Sequence, residues 1–457
     1  MKFVNKAKNE IVNKLKDKNV KYFVETMGCK LNENDSLKYQ GIMESMHIYE
    51  ASTIEDAKII LFNTCCIREN AEEKLFGRLG ALKKRKQQEK DLIIVVLGCM
   101  TQQKHIIEKI NKSYPFVDIV LGTNSMATFP DKLLKVIESK TKIREYIEDT
   151  NEVLEEVPIK YEEGNKASVS IIYGCNNFCS YCIVPYVRGR EKSRKKEDII
   201  KDIEKCVEKG YKEITLLGQN VNSYGNDLND PESTFANLLR EINKVDGVEI
   251  IRFMSPHPKD FKDDVIAAIR DCDKVTKQIH LPLQAGSTKV LKAMNRRYTK
   301  EQYLELVEKI KREIPNVSFT TDIITGFPGE TEEDFEDTLD VVRKVVFDQI
   351  FMFVYSIRKG TAAEKMENQV EEHVKVERLE RLKKLNIEQI EQINKTMIGK
   401  IYKILVEGKS KNNDELYTGR TDNNKVVVFK ANEEDIGKIL NIKINSEHLW
   451  YLKGEKV

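Results

Sequence analysis

The sequence predicts an α/β protein with three parts: an N-terminal open parallel-sheet α/β domain, a central partial (β/α)6 TIM-like barrel and a C-terminal small β-barrel. Two stretches of the chain alternate strand-sized apolar runs with helical segments, which is typical of parallel sheets. From Lys400 onwards the pattern changes to short β runs separated by turn residues. A length of 457 residues also suggests about three domains. We predict domains at residues 20–138, 161–391 and 394–457.

The composition indicates a soluble protein that builds real cores. Hydrophobic residues make up 40% of the chain and charged residues 33%. The longest apolar runs, such as residues 93–97, are far too short to span a bilayer. Residues 1–19 are rich in lysine and lack the apolar core of a signal peptide. We therefore expect no membrane partner and a cytoplasmic location, where thiols stay reduced. The net charge of +2 leaves nucleic-acid binding to local basic patches.

The N-terminal domain is predicted from four apolar strands with helices between them. The predicted strands are residues 22–25, 59–63, 92–97 and 118–121, and the predicted helices are residues 35–46, 71–88, 102–111 and 129–139. Continuous apolar strands of this kind favour a parallel sheet that is buried on both faces. A charged connector at residues 141–165 follows this domain.

Three cysteines, Cys29, Cys65 and Cys99, each follow the carboxyl end of one predicted strand. Open α/β sheets bind ligands at that edge, so we expect the three thiols to converge on one iron–sulfur cluster. The alternative is that buried cysteines pack there as small hydrophobes, but three at equivalent positions favour the cluster. Cys66 follows Cys65 directly. Since neighbours on a strand point to opposite faces, we assign ligation to Cys65 and packing to Cys66.

The central domain is predicted from six strands, most of them followed by a helix. The predicted strands are residues 168–173, 213–217, 249–254, 278–281, 318–324 and 349–355, and the helices are residues 195–208, 234–245, 259–271, 300–313 and 331–345. Six βα units are two short of a closed barrel, which favours a partial barrel with a lateral opening for a large substrate. Cys206 and Cys272 fall at apolar positions of helical stretches, where core packing is expected.

A Cys-x3-Cys-x2-Cys run, formed by Cys175, Cys179 and Cys182, follows the first strand of this domain. Three thiolates at this spacing can hold three irons of one 4Fe-4S cluster and leave the fourth iron open to a small molecule. A zinc site would need a fourth Cys or His nearby. Disulfides would need an even number of cysteines and an exported protein. The pattern therefore favours a catalytic cluster.

Polar side chains at the ends of later strands predict a cradle for a cofactor. These strand ends are broken by Gly or Pro and lie at the carboxyl face, where barrel enzymes place their chemistry. The candidates are Gln219, Asn220, Gln284, Ser287 and Asp322.

Four arginines are candidates for contacts with RNA phosphates. Arg188 and Arg190 lie just after the cysteine run, and Arg296 and Arg297 are adjacent in the sequence. Phosphate binding depends on clustered cations rather than on overall charge. The C-terminal module adds five predicted strands within about 60 residues, which favours a small barrel of a kind that often binds nucleic acid.

These motifs together resemble the radical S-adenosylmethionine methylthiotransferase family. Residues 26–29, 63–65, 98–100 and 173–182 match the motifs of that family in the same order, and the C-terminal segment resembles a TRAM domain. The resemblance implies two 4Fe-4S clusters and S-adenosylmethionine as cofactors. It also implies that Tyr181 packs near the adenine of S-adenosylmethionine.

The function that the resemblance implies is a radical-based methylthiolation of tRNA. The expected target is C2 of N(6)-dimethylallyladenosine beside the anticodon, because residues 417–424 are similar to the tRNA-specific branch of the family. The expected partners are tRNA, an electron donor of the flavodoxin or ferredoxin type, and a sulfur donor. The alternatives are methylthiolation of threonylcarbamoyl-adenosine or of a ribosomal protein, and an RNA-binding sensor whose clusters are not catalytic.

Overall fold

The computed structural model describes residues 6–16, 18–67, 70–145, 153–161, 164–411 and 413–457. Two sequence features fall partly outside the described residues: the N-terminal extension at residues 1–5 and 17, and the charged connector at residues 146–152 and 162–163. The chain forms two compact units. The first comprises Met1–Glu162, Ser170–Asn176 and Ile183–Asp198, and the second comprises Glu163–Val169, Asn177–Cys182 and Ile199–Val457.

The first unit is built on a six-stranded parallel sheet. Its strands are β1 (Lys21–Met27), β2 (Tyr49–Glu50), β3 (Ile59–Thr64), β4 (Ile93–Gly98), β5 (Ile119–Leu121) and β6 (Ile143–Glu145), in the order β2-β1-β3-β4-β5-β6. Its helices are α1 (Lys8–Leu15), α2 (Lys30–Ser45), α3 (Ala71–Gln88), α4 (Lys104–Ser113) and α5 (Phe129–Ser139). Ile59 and Leu61 join one apolar cluster and Ile60 and Phe62 join another, so both faces of the sheet are covered as predicted.

Helix α2 begins directly after Cys29, five residues earlier than its predicted start at residue 35. The asparagines of its first turns have weak helix propensity, and this hid the start in the sequence. Tertiary hydrogen bonds compensate, because the Asn32 side-chain amide donates to Asn63 Oδ1 and to the Thr64 carbonyl oxygen, both at 3.1 Å. Cys29 thus occupies the N-cap position of a helix whose first turn is tied to the neighbouring strand.

The middle of the chain contributes to both units. Its elements are β7 (Lys166–Ser170), β8 (Ile172–Tyr173), α6 (Val184–Arg188), β9 (Lys192–Ser193) and α7 (Lys196–Glu208). Strands β8 and β9 pair antiparallel within the first unit, and β7 belongs to a sheet of the second unit. The single strand predicted at residues 168–173 is therefore two strands.

The second unit contains the partial barrel. Its further elements are β10 (Glu213–Leu217), α8 (Phe235–Asn243), β11 (Ile250–Phe253), α9 (Asp263–Asp271), β12 (Gln278–His280), α10 (Thr288–Ala293), α11 (Lys300–Glu313), β13 (Ser318–Thr325), α12 (Glu332–Val345), β14 (Gln349–Val354) and α13 (Glu372–Lys395). The strands form two three-stranded sheets, β11-β10-β7 and β12-β13-β14. An isolated parallel bridge between Ile251 and Val275 links β11 to the segment before β12. Six strands with intervening helices confirm the predicted (β/α)6 architecture.

The C-terminal module is a closed five-stranded barrel within the second unit. Its strands are β15 (Ile401–Ser410), β16 (Asn413–Arg420), β17 (Val426–Phe429), β18 (Ile439–Glu447) and β19 (Leu452–Lys456). The order β15-β16-β17-β19-β18 returns to β15, and the interior is filled by apolar side chains. Arg252 of β11 donates to the carbonyl oxygens of Thr421 and Asp422, both at 3.2 Å, which attaches this barrel to the core.

Among the described residues, no helix has both the length and the apolar character that a membrane span requires.

The Asp334 carboxylate joins two structural elements at the carboxyl side of the partial barrel. It accepts hydrogen bonds from Ser287 at 2.6 Å and Lys289 at 2.7 Å, and it closes the capping box of α12 with Thr331. Burial opposes ionisation of Asp334, but the hydrogen bonds from Lys289 and Ser287 outweigh burial and lower its pKa to about 2.

Asp334→Ala is expected to lower the free energy of unfolding of the second unit by about 1–3 kcal/mol, because it leaves a helix cap and a buried hydroxyl without a partner. A carboxyl with a lowered folded-state pKa stabilises the fold above its unfolded value of 3.8, and this contribution is lost as the pH falls towards about 2. Urea unfolding of the wild type and of Asp334→Ala should therefore show that their difference in the free energy of unfolding becomes smaller as the pH falls through this range. Glu308→Ala, an exposed change on α11 outside this cap, is the control.

Candidate functional site

Three cysteines of the first unit lie at one edge of its sheet. Parallel pairing places Met27 beside Thr64 and Thr64 beside Gly98, so β1, β3 and β4 end together. Cys29, Cys65 and Cys99 follow these strand ends, as predicted from the sequence.

Gly98 is required where β4 approaches β3. Its φ is +104°, and an added Cβ would lie 2.4 Å from the Thr64 carbonyl oxygen. Cys99 in turn donates its backbone N–H to that oxygen at 2.9 Å. The close approach of the two strands therefore fixes where Cys99 begins the next segment.

The thiols at this edge contact one another in two pairs. Cys65 hydrogen-bonds to Cys29, and this bond lowers the pKa of Cys29 to about 6 while the pKa of Cys65 is raised. Cys66 hydrogen-bonds to Cys99, and that bond together with the charge of Arg188 lowers the pKa of Cys99. Thiolates are the form that ligates iron, so Cys29 and Cys99 are already biased towards ligation.

Cys66 packs in the core as predicted, and its thiol also contacts a predicted ligand, Cys99. Its side chain is buried in an apolar cluster with Cys99, Ile183 and Val187, which agrees with packing. Its thiol also contacts Cys99, because the chain turns after Thr64 instead of continuing as a strand. The alternation of an extended strand therefore does not separate Cys65 from Cys66.

A buried arginine faces these thiols. Arg188, at the end of α6, places Nε 3.1 Å from Cys99 Sγ and Nη2 2.8 Å from a carboxylate oxygen of Asp35. Only 7% of Arg188 is exposed. The phosphate contact predicted for Arg188 is not supported by this position, because its guanidinium is directed into the protein and is already paired.

The first-unit residues fit an anionic iron–sulfur cluster. Two of the thiols, Cys29 and Cys99, have lowered pKa values, and a buried guanidinium offsets negative charge. The pKa of Cys65 is raised because its hydrogen bond with Cys29 leaves the proton on Cys65. Within the described part of the chain, no three His, Cys, Asp or Glu side chains are arranged to hold a single metal ion. A 4Fe-4S cube takes one thiolate per iron, so its ligands need not meet at one atom.

Cys175 lies in the first unit, directly after a glycine with a left-handed conformation. Gly174 has φ +70°, and an added Cβ would lie 2.0 Å from the Arg190 carbonyl oxygen. The backbone N–H of Cys175 donates to the Gly189 carbonyl oxygen at 3.1 Å. The glycine therefore allows the cysteine loop to turn close to the segment that follows α6.

Cys179 and Cys182 lie in a segment that is held by neighbouring residues of the second unit. The Asn295 side chain donates to the carbonyl oxygens of Asn177 and Phe178 at 3.2 and 3.0 Å. Ser180 donates from its backbone N–H to the Met294 carbonyl oxygen at 3.0 Å. These bonds hold the ligand-bearing turn against the end of α10.

A second buried arginine contacts this turn. Arg296 places Nη1 3.6 Å from Cys179 Sγ, and it donates to Tyr298 Oη at 3.0 Å and to the Pro282 carbonyl oxygen at 2.7 Å. It is 4% exposed, so the phosphate contact predicted for it is not supported either. Each unit thus directs one buried guanidinium at one cysteine sulfur.

Tyr181 lies between Cys179 and Cys182 in the sequence, and its side chain is half-buried. Burial and the charge of Cys179 raise its pKa well above the usual range, so the phenol stays neutral. Its predicted place beside a cofactor adenine stays a prediction.

Two of the predicted cofactor residues carry polar atoms without partners. Among the described residues, buried Gln219 Oε1 and Asn220 Oδ1 accept no hydrogen bond, although Asn220 Nδ2 donates to Asp260 at 2.8 Å. His257, at the end of the next strand, also has an unpaired buried Nε2. Burial lowers the pKa of His257, so its ring is neutral. Unpaired buried groups at these strand ends fit a polar ligand.

The other predicted cofactor residues have mixed surroundings. Gln284 is buried with φ +72° and pairs through its backbone with Asp322 and Ile324. The Ser287 hydroxyl donates to Asp334 and caps α10, which leaves it a structural role rather than the predicted cofactor contact. Asp322 is half-buried and lies 3.5 Å from His280 Nε2. The Asp322 carboxylate is therefore only partly covered, and its strand position is paired with exposed Phe351 of β14.

The remaining predicted residues have the exposure or burial that their sequence assignments require. Arg190 and Arg297 are exposed, as a phosphate contact requires. Cys206 and Cys272 are buried in the core; burial raises the pKa of Cys206 to about 12 and also raises that of Cys272. Inert thiols of this kind contrast with Cys29 and Cys99.

Three family models match successive parts of the chain. Residues 21–122 match Uncharacterized protein family UPF0004, residues 169–342 match the Radical SAM superfamily, and residues 395–457 match the TRAM domain. The radical S-adenosylmethionine methyltransferase TsrM from Kitasatospora setae superposes with a TM-score of 0.55 at 12% identity, over 76% of this chain and 74% of that one. Fold and site thus define a radical S-adenosylmethionine enzyme, and this confirms S-adenosylmethionine and 4Fe-4S clusters as its cofactors.

Relatives of known name are similar along the whole chain. A protein of Clostridium botulinum (strain Eklund 17B / Type B) is 52% identical over 100% of both chains. A protein of Acetivibrio thermocellus is 51% identical over 95% of this chain and 91% of its own. Both are called tRNA-2-methylthio-N(6)-dimethylallyladenosine synthase. The chain belongs to the tRNA-2-methylthio-N(6)-dimethylallyladenosine synthase family.

Arg188→Gln is expected to weaken iron binding at the first-unit cysteines by about 10- to 100-fold, because partners of metal ligands have effects of that size. It should also make the midpoint potential more negative, since it removes a cation beside a ligand sulfur. The measurement is iron content and a potentiometric titration in a Cys179→Ala, Cys182→Ala background. Arg190→Gln is the exposed control, and an equal loss of iron in that variant would contradict the role of Arg188.

Cys65→Ala is expected to abolish the first-unit cluster, whereas Cys66→Ala should keep about four irons at this site. The reason is that Cys65 follows β3 directly, as Cys99 follows β4, and that its thiol hydrogen-bonds to Cys29. Iron and acid-labile sulfide are counted after anaerobic reconstitution in the background described above. Loss of iron only from Cys66→Ala would reverse the assignment.

Proposed function

We propose that this enzyme inserts sulfur and a methyl group at C2 of N(6)-dimethylallyladenosine beside the anticodon of tRNA, in the cytoplasm. The observation that carries the proposal is 51–52% sequence identity to synthases of that name over 95–100% of the chain. Both cysteine sets lie within segments that the family models match.

The two sets of cysteines would have separate roles. Cys175, Cys179 and Cys182 would hold the cluster that binds S-adenosylmethionine, with Gln219 and Asn220 offering polar atoms to that cofactor. S-adenosylmethionine bound at a reduced cluster supplies a carbon radical that can remove hydrogen from an unactivated carbon. Cys29, Cys65 and Cys99 would hold the second cluster and the sulfur to be inserted.

The RNA would be held by exposed groups. Arg190 and Arg297 are exposed residues, and Trp450 of the C-terminal barrel is 64% exposed. Cations and exposed aromatic rings are the groups with which proteins bind single-stranded RNA. A flavodoxin- or ferredoxin-type protein would supply electrons, and a separate sulfur donor would restore the sulfur after each turnover.

The two cysteine sets are expected to separate two activities. Cys175→Ala should abolish both cleavage of S-adenosylmethionine and methylthio-adenosine formation. Cys29→Ala should keep the cleavage and lose the methylthio product, because only sulfur delivery is removed. Both products are measured by mass spectrometry after anaerobic reconstitution with prenylated tRNA from cells that lack this gene.

Three results would overturn the proposal. Wild-type protein that cleaves no S-adenosylmethionine would favour a cluster-bearing sensor. Product formed on tRNA carrying threonylcarbamoyl-adenosine, or on a ribosomal protein, but not on prenylated tRNA would move the chain to another branch. Full product from Cys29→Ala would indicate a different radical enzyme.

A further inference from the structure

One face of β14 in the second unit is uncovered. Phe351 and Phe353 are 42% and 52% exposed, and Gln349 on the same face is exposed too, whereas Ile350 between them is 5% exposed. Successive strand residues point to opposite faces, so Ile350 lies on the side where α13 packs. Parallel sheets are normally covered on both faces. The exposure of two phenyl rings on such a sheet is therefore unusual.

The neighbouring strands place a polar pair beside these rings. Register aligns Asp322 with Phe351 and Ile324 with Phe353. The His280 ring packs edge-on at 5.7 Å from the Phe351 ring, and His280 Nε2 lies 3.5 Å from a carboxylate oxygen of Asp322. The face thus combines flat apolar surface with a carboxylate and an imidazole at its border.

The uncovered face connects two features of the second unit. Phe353 is next to the carboxyl end of β14, the edge of the barrel that carries its chemistry. At the other end of the strand, Gln349 lines a cavity of about 170 Å³ that is also lined by Arg420 and Trp450 of the C-terminal barrel. Gln349 therefore places one end of the uncovered face at a cavity that the C-terminal barrel also lines.

We propose that Phe351 and Phe353 form the stacking surface for the target purine after it leaves the RNA loop. This inference rests on the proposed function. An unstacked base offers a flat π face to aromatic side chains, and phenyl rings without a polar tip also suit an apolar substituent on that base. Asp322 and His280 lie where they can meet the polar edge of the purine.

The test uses the full-length reconstituted enzyme and an anticodon stem-loop with 2-aminopurine at the target position. Stacking on the wild-type protein should quench the fluorescence. Phe351→Ala and Phe353→Ala are each expected to remove most of the quenching and to raise KM for prenylated tRNA by about tenfold, as the loss of one stacking contact does. Phe353→Tyr keeps the ring and should restore both. Tyr49→Ala, an exposed aromatic change in the first unit, is the control that should alter neither.

The outcomes separate this inference from the proposed function. Methylthiolation by wild type, with unchanged quenching and KM in both alanine variants, would overturn the stacking surface and leave the proposed function standing. Quenching that depends on Phe351 and Phe353 in a wild-type protein that makes no methylthio product would overturn the function and leave the surface. Two further results would overturn the stacking surface. One is turnover on a ribosomal-protein peptide by a protein that does not quench the 2-aminopurine stem-loop. The other is a dimer in solution that buries both phenyl rings.

Discussion

Parallel strands end at a common edge, and the chemistry of this chain depends on that constraint. In the first unit, β1, β3 and β4 stop at adjacent positions in the register, although the cysteines that follow them are far apart in the sequence. Hydrogen bonds from Asn32 and the close approach at Gly98 hold these ends together. In the second unit, the same geometry brings Gln219, Asn220 and His257 to the carboxyl side of the barrel, where their unpaired atoms remain available to a ligand.

Charge compensation is the second requirement of both cysteine sites. A buried thiolate is unstable without a nearby cation or hydrogen-bond donor. Arg188 and Arg296 supply both, because each guanidinium reaches one cysteine sulfur and is itself held in place, by Asp35 in one unit and by Tyr298 and the Pro282 carbonyl oxygen in the other. Arg188 follows Cys99 by 89 residues and Arg296 follows Cys179 by 117, so spacing along the chain does not reveal these contacts.

An incomplete barrel leaves sheet surface uncovered, and this is where a large substrate can enter. A closed eight-stranded barrel would fill its interior with side chains from all strands. With six strands, the face of β14 that carries Phe351 and Phe353 remains in contact with solvent. The attachment of the C-terminal barrel through Arg252 places a nucleic-acid-binding type of module in the same unit as that face.

The sequence alone determined the class of fold and most element boundaries, because hydrophobic periodicity is a local property of the chain. It also singled out both sets of cysteines as ligand candidates, one by its close spacing and the other by its positions after predicted strands. It also indicated the family, since its motifs occur in a fixed order. Only the tertiary structure decided that Arg188 and Arg296 are buried beside sulfur instead of exposed to phosphate, that Ser287 serves Asp334, and that Cys66 contacts Cys99. The sequence does not show whether an arginine is buried beside a thiolate or exposed to solvent. That depends on its burial and on partners that are distant along the chain, which only the folded structure brings together.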